Sequence, residues 1–120
     1  MPLIEDHADT RVAIVMHLKA RCEIGVAGSV QEAVKMLTLE RWDLLLSDIG
    51  LPDGTGWDIL AAPTVRPPLC AVAMSANSKV DMEHKSLTAG FWRHLQKPLS
   101  PAELDMVLEE TVSRRAKAQS

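Results

Sequence analysis

No apolar stretch in these 120 residues runs free of charge for a membrane-spanning length, although hydrophobic residues make up 47% and charged ones 24%. A helical membrane span is therefore excluded, and a soluble protein is expected. The chain does not open with a basic segment, an apolar run and a small-residue cleavage site, so secretion is not expected and the cytoplasm is the default location. Lys and Arg gather into no patch, and the formal net charge is -3 with a pI near 5.8. That balance argues against a nucleic-acid surface, because phosphate contacts need clustered cations. Cys22 and Cys70 lack CxxC spacing and sit in apolar stretches, which fits reduced, buried thiols better than a disulfide or a zinc site. His7, His17, His84 and His94 show no HExxH or other ligand spacing, so surface or capping roles are expected for them rather than metal ligation.

What is present fits one compact domain over residues 1–120, with 114–120 as a tail or linker. Met1 to Ile4 is a short strand candidate ending at Glu5-Asp6, and Asp9-Thr10 offers a cap for a helix through Leu18. Pro2 cannot donate to a ladder, so either the domain starts before Met1 or this strand frays at its start. Glu23 to Ala27 is a second strand candidate, followed by the capping-box pattern Ser29-Val30-Gln31-Glu32. Leu44-Leu45-Leu46 is the uninterrupted apolar run of a strand buried on both faces, and it ends in Ser47-Asp48. The segment from Gly50 to Gly56 is turn-forming, and Pro63 limits the next helix to about Trp57–Ala62. Leu69 to Met74 reads as a strand ending at Ser75. Lys79 to Ala89 reads as a helix stopped by Gly90, and Phe91 to Gln96 as the last strand, running into Lys97-Pro98. Ser100 then caps a helix whose inward stripe is Leu104, Val107, Leu108 and Val112, with Arg114, Arg115 and Lys117 complementing its dipole.

Strand and helix alternate five times, which argues for a single α/β domain with a parallel sheet and helices on both faces. Ligands of such sheets bind beyond the carboxyl ends of the strands. Glu5, Asp6, Asp48, Ser75 and Lys97 each follow or close a strand candidate, so all are expected to meet at one edge. The three carboxylates would repel by roughly 4 kcal/mol per close pair at an effective dielectric of about 20. A divalent cation offsets this best, and oxygen ligands point to magnesium. Lys97 adds a mobile charge able to pair first with Asp48 and later with a phosphoryl oxygen.

Glu5-Asp6-His7, Leu44 to Asp48 followed by Leu51-Pro52-Asp53-Gly54-Thr55-Gly56, Ala73-Met74-Ser75-Ala76 and Leu95-Gln96-Lys97-Pro98 resemble the signature segments of the CheY-like receiver family of response regulators. The likeness runs along essentially the whole chain. It implies a doubly wound, flavodoxin-like (βα)5 sandwich with strand order 2-1-3-4-5. It also implies that Asp48 is the phospho-acceptor, that Asp6 and the Gly50 carbonyl ligate magnesium directly, and that Glu5 does so through water. Ser75 would hydrogen-bond the phosphoryl group and Lys97 would pair with it. The implied partners are a histidine kinase or a histidine phosphotransfer protein, with weak homodimerisation as a further expectation, and the implied role is signalling rather than enzymatic.

His94 departs from the commoner pattern. Receivers often carry Tyr or Phe three residues before the lysine, and this chain has no Tyr at all. A histidine here is similar to receivers of hybrid histidine kinases, so that parentage is expected, with Ser75 and His94 as the switch pair. Gly50 and Asn77 flank the site where they could influence water access. Two other readings stay open: a docking module that is not phosphorylated, and a haloacid-dehalogenase-type phosphatase suggested by Asp53-Gly54-Thr55. The five-residue spacing from Asp48 to Asp53 counts against the second.

Overall fold

The computed structural model describes residues 1–76 and 79–118. Asn77, expected to flank the site, lies outside the described residues. Five strands build one sheet: β1 (Pro2–Ile4), β2 (Gly25–Ala27), β3 (Leu44–Asp48), β4 (Cys70–Ser75) and β5 (Arg93–Gln96). They lie in the order β2-β1-β3-β4-β5, and every neighbouring pair is parallel. Helices α1 (Ala8–Leu18), α2 (Val30–Leu39), α3 (Gly56–Ala61), α4 (Val80–Thr88) and α5 (Pro101–Ala118) alternate with them. A separate antiparallel pair, Gly50–Leu51 with Gly54–Thr55, sits between β3 and α3.

The leucine run explains why β3 is central. Leu44 and Leu46 enter a core with Leu3, Leu18, Leu104 and Val107, while Leu45 enters the opposite one with Ile4, Leu37, Ile59 and Phe91. Both faces of the strand are thus dry, as period-two alternation with helices on either side requires. β1 is short but not frayed. Gly25 N–H donates to the Met1 carbonyl and Glu5 N–H to that of Ala27, so odd residues of β1 face β2 and the missing N–H of Pro2 faces β3. Pairing with β3 begins at Leu3, the first residue past the donorless Pro2.

Several helix ends fall elsewhere than the sequence suggests. α1 begins at Ala8 with His7 in the cap position, not at Asp9-Thr10, which shortens the acidic loop to Glu5–His7. At α2, Ser29 accepts from the Glu32 N–H, but the Glu32 carboxylate bonds the Gly28 N–H at 3.5 Å, so the box closes one residue early. Gly90 stops α4 with φ of 108°, a left-handed conformation that suits glycine. In α5, Val112 is exposed, and Thr111 takes the inward place instead. Leu104, Val107, Leu108 and Thr111 follow the i, i+3, i+4, i+7 rule, and the Thr111 hydroxyl is satisfied by the Val107 carbonyl at 2.8 Å. Residues 114–118, expected to be tail, continue α5, with Arg115 3.1 Å from Asp43 and Arg114 stacked 4.8 Å from the Trp92 ring. Cys70 is buried and Cys22 half-buried, and both are free thiols.

The start of α5 is closed reciprocally: Glu103 N–H donates to Ser100 Oγ and Ser100 N–H to Glu103 Oε1, each at 3.1 Å. Ser100→Ala is therefore expected to lower stability by about 1 kcal/mol in urea unfolding.

Candidate functional site

Register brings the strand ends level. Asp48 pairs with Met74, and Ser75 with Gln96, so the last residues of β3, β4 and β5 open onto one edge, where Glu5 and Asp6 leave β1. Lys97 N–H donates to the Ser75 carbonyl at 2.8 Å, which carries the β5 direction one residue further and turns the lysine over the edge. Its ammonium lies 2.8 Å from Asp48 Oδ2 and 2.7 Å from Glu5 Oε2. The other Asp48 oxygen accepts the Gly50 N–H at 3.3 Å. The remaining Glu5 oxygen accepts the His7 N–H at 3.0 Å, and the His7 ring nitrogen sits 3.3 Å from Asp6 Oδ1. Ser75 is buried at the end of β4 beside this group. Gly56 holds the floor: a methyl group there would come within 2.6 Å of the Asp48 carbonyl oxygen.

Glu5 is wholly buried and Asp48 nearly so. Burial pushes the Asp48 carboxyl above the ordinary carboxylate range, and the Glu5 charge adds to this, against the hydrogen bond from Lys97. Burial alone would lower the Lys97 ammonium, but the two carboxylates outweigh it and hold it above its ordinary value. Among the described residues, Glu5, Asp6, His7 and Asp48 bring ligand atoms all within 4.8 Å of one another. Three carboxylates facing one ammonium, with the Arg11 guanidinium 3.4 Å from the Glu5 carbonyl, leave the group net negative. Hard oxygen donors with that charge suit a divalent cation of the magnesium type. His7 joins the cluster although spacing motifs gave no reason to include it. Its adjacency to Glu5-Asp6 was the available signal.

His94 faces a different environment. Its Nδ1 lies 2.7 Å from Ser86 Oγ, which also accepts the Trp57 indole N–H at 2.8 Å. Trp57 is thus part of a polar chain. Burial lowers the His94 imidazole from its ordinary 6.5, with Glu83 opposing. A proton then prefers the unfolded chain, so the His94 contribution to stability is complete above about pH 6.5 and declines as pH falls below it. His94→Phe should flatten that acid-side decline relative to wild type in unfolding midpoints taken from pH 7 to about 5.

Asp53 is not in the acidic group. Its carboxylate accepts the Val30 and Gln31 amides at 2.7 and 3.0 Å, and those bonds hold it below the usual carboxylate range. This commitment to the α2 N-terminus counts against Asp53 as a phosphatase acid.

The model of the response regulator receiver domain matches residues 2–109. The response regulator PilR of Pseudomonas aeruginosa is 33% identical over 104 residues, covering 85% of this chain and 23% of PilR. A CheY-like receiver domain from Methanospirillum hungatei superposes with a TM-score of 0.86 at 23% identity, covering 97% of this chain and 95% of that one. A Burkholderia pseudomallei response regulator, crystallised with a phosphorylated aspartic acid and a calcium ion, gives 0.80 at 17% identity over 98% of this chain and 71% of its own. The chain belongs to the response regulator receiver domains, the signalling modules of two-component systems that meet histidine kinases or phosphotransfer proteins. It spans about a quarter of PilR, and no described helix is long and apolar enough to cross a membrane.

Proposed function

We propose that Asp48 accepts a phosphoryl group from a phosphohistidine donor, in a site that binds magnesium, and that the modification switches the surface around β4, α4 and β5. The observation that supports this best is the Lys97 ammonium held between Asp48 and Glu5 at 2.8 and 2.7 Å, inside an acidic cluster with net charge to spare for a divalent cation. Asp6, Asp48 and the Gly50 carbonyl would hold the metal directly and Glu5 through water. When bound, the metal supplies charge neutralisation on the transferring group.

The remaining steps belong to the chain. An Asp48 oxygen forms the new O–P bond as the donor's P–N bond breaks, and the electron pair leaves with the imidazole. Lys97 exchanges its contact with Asp48 Oδ2 for one with a phosphoryl oxygen, so charge appearing on the group meets a cation already in place. The Ser75 hydroxyl binds another phosphoryl oxygen, drawing its loop inward. The donor is a histidine kinase or phosphotransfer protein in the cytoplasm, weak self-association is compatible with the role, and His94 favours a hybrid kinase as parent.

Incubation with magnesium and acetyl phosphate tests the reading. A mass gain of one phosphoryl group that is lost in Asp48→Asn is expected. No gain would favour a docking module, and steady turnover of small phosphate esters would favour a phosphatase.

A further inference from the structure

We propose that Ser86 is a positioning residue whose hydroxyl, shared between Trp57 and His94, pins the imidazole against α4 in one tautomer and ties α3, α4 and β5 into one unit. The donor and acceptor capacities of the three side chains argue for the arrangement. An indole N–H only donates, so at 2.8 Å from Trp57 Nε1 the Ser86 oxygen accepts. The serine's own proton must then go elsewhere. Two other hydroxyls on helices, those of Thr38 and Thr111, return theirs to the carbonyl four residues back. Ser86 instead has His94 Nδ1 at 2.7 Å, and Trp57 and His94 are the side chains it bonds. The pin assigns that proton to Nδ1, as the bare nitrogen of a neutral ring with its hydrogen on Nε2, against the alternative in which the serine oxygen accepts from both rings.

The rest of the site makes this bond decisive. His94 Nε2 is buried with no hydrogen-bond partner, so among the described residues Ser86 alone anchors the ring. Ser86 is fully buried and is the one buried residue of α4, a place that an apolar side chain would otherwise fill. Register sets His94 opposite Ala73 and Gln96 opposite Ser75, so the ring lies one alternation below the Ser75 hydroxyl on the same face of the sheet. Movement at Ser75 therefore reaches a ring that is already bonded to α4 and, through Ser86, to the α3 indole. A side chain free to rotate about χ1 would pass nothing on to Trp57.

The signalling role of this unit rests on the phospho-acceptor reading, whereas the pin itself does not. Nitrogen-15 NMR of the full chain tests both. In the unmodified protein the His94 shifts should be those of the Nε2–H tautomer, and the Trp57 indole proton should exchange about five- to tenfold more slowly than in Ser86→Ala, as one lost hydrogen bond implies. Ser86→Thr should restore the slow exchange. Trp57→Phe, which removes the donor that directs the Ser86 proton to Nδ1, should let that variant's ring average between tautomers and serves if Ser86→Ala does not fold. In the wild type, shifts averaged between tautomers or an Nδ1–H ring, or equal indole exchange with and without the hydroxyl, would overturn the pin. With magnesium and acetyl phosphate, phosphorylated wild type should move the Trp57 indole resonance and phosphorylated Ser86→Ala should not. A wild type that gains the phosphoryl mass with an unmoved indole refutes the coupling. No mass gain at all refutes the phospho-acceptor reading, while tautomer and exchange still decide the pin.

Discussion

Lys97→Met is expected to lower the stability of the metal-free domain by about 3–5 kcal/mol, the usual cost of removing one partner from a buried ion pair. Glu5 is wholly buried and the Asp48 side chain 9% exposed, and both lose the cation that now lies between them. Two carboxylates would then share a dry site, and one must take up a proton or the edge must open to water. The pH dependence follows from Asp48. Its carboxyl is already raised above 3.8 by burial and the neighbouring Glu5, so the folded chain holds that proton more tightly than the unfolded one. Stability contributed by protonation is present at low pH and lost as pH rises through the folded-state value, so the deficit of Lys97→Met should shrink from pH 7 towards 5. Added magnesium should also reduce it. Urea unfolding at several pH values measures all three, and a loss under about 1 kcal/mol would mean that the pair is solvated.

Gly56→Ala links the fold to the site. The added methyl would stand 2.6 Å from the Asp48 carbonyl oxygen and 3.2 Å from Ser47 Oγ, and the nearer atom is backbone that cannot swing away. Either α3 or the end of β3 must shift, at a cost of about 1–3 kcal/mol or somewhat more. The larger effect should be on phosphorylation. Gly56 N–H also donates to the Ile49 carbonyl at 2.9 Å, so displacement carries the whole turn after Asp48 with it. In-line attack depends on placement to within a fraction of an ångström, and phosphorylation by acetyl phosphate should slow by about a hundredfold. A variant of normal stability and normal rate would show that the turn yields without moving Asp48.

How much of this could be read from the residues depends on the range of the interactions. Period-two and period-3.6 patterns are local, so the leucine run of β3, the Ser100 cap and the Gly90 stop are visible in sequence. The convergence of Glu5, Asp6, Asp48, Ser75 and Lys97 at one edge also followed, because strand ends in a parallel sheet share an edge whatever their separation along the chain. Partners chosen across the fold were not legible. Trp57, Ser86 and His94 come from three elements, and nothing local says that one hydroxyl will serve two rings. The inward place of Thr111 was hidden by its polarity, since its hydroxyl is satisfied only by a carbonyl of its own helix. The early start of α1 was hidden because His7 takes the cap position without a side-chain cap bond.

Borohydride reduction after incubation with magnesium and acetyl phosphate tests the central claim most directly, because it converts an aspartyl phosphate to homoserine and so marks the modified residue in a peptide mass map. Homoserine at position 48, dependent on magnesium and strongly reduced in Lys97→Met, is the expected result. Modification at any other carboxylate, or none under conditions where the protein is folded, would contradict the assignment of this edge as a phospho-acceptor site.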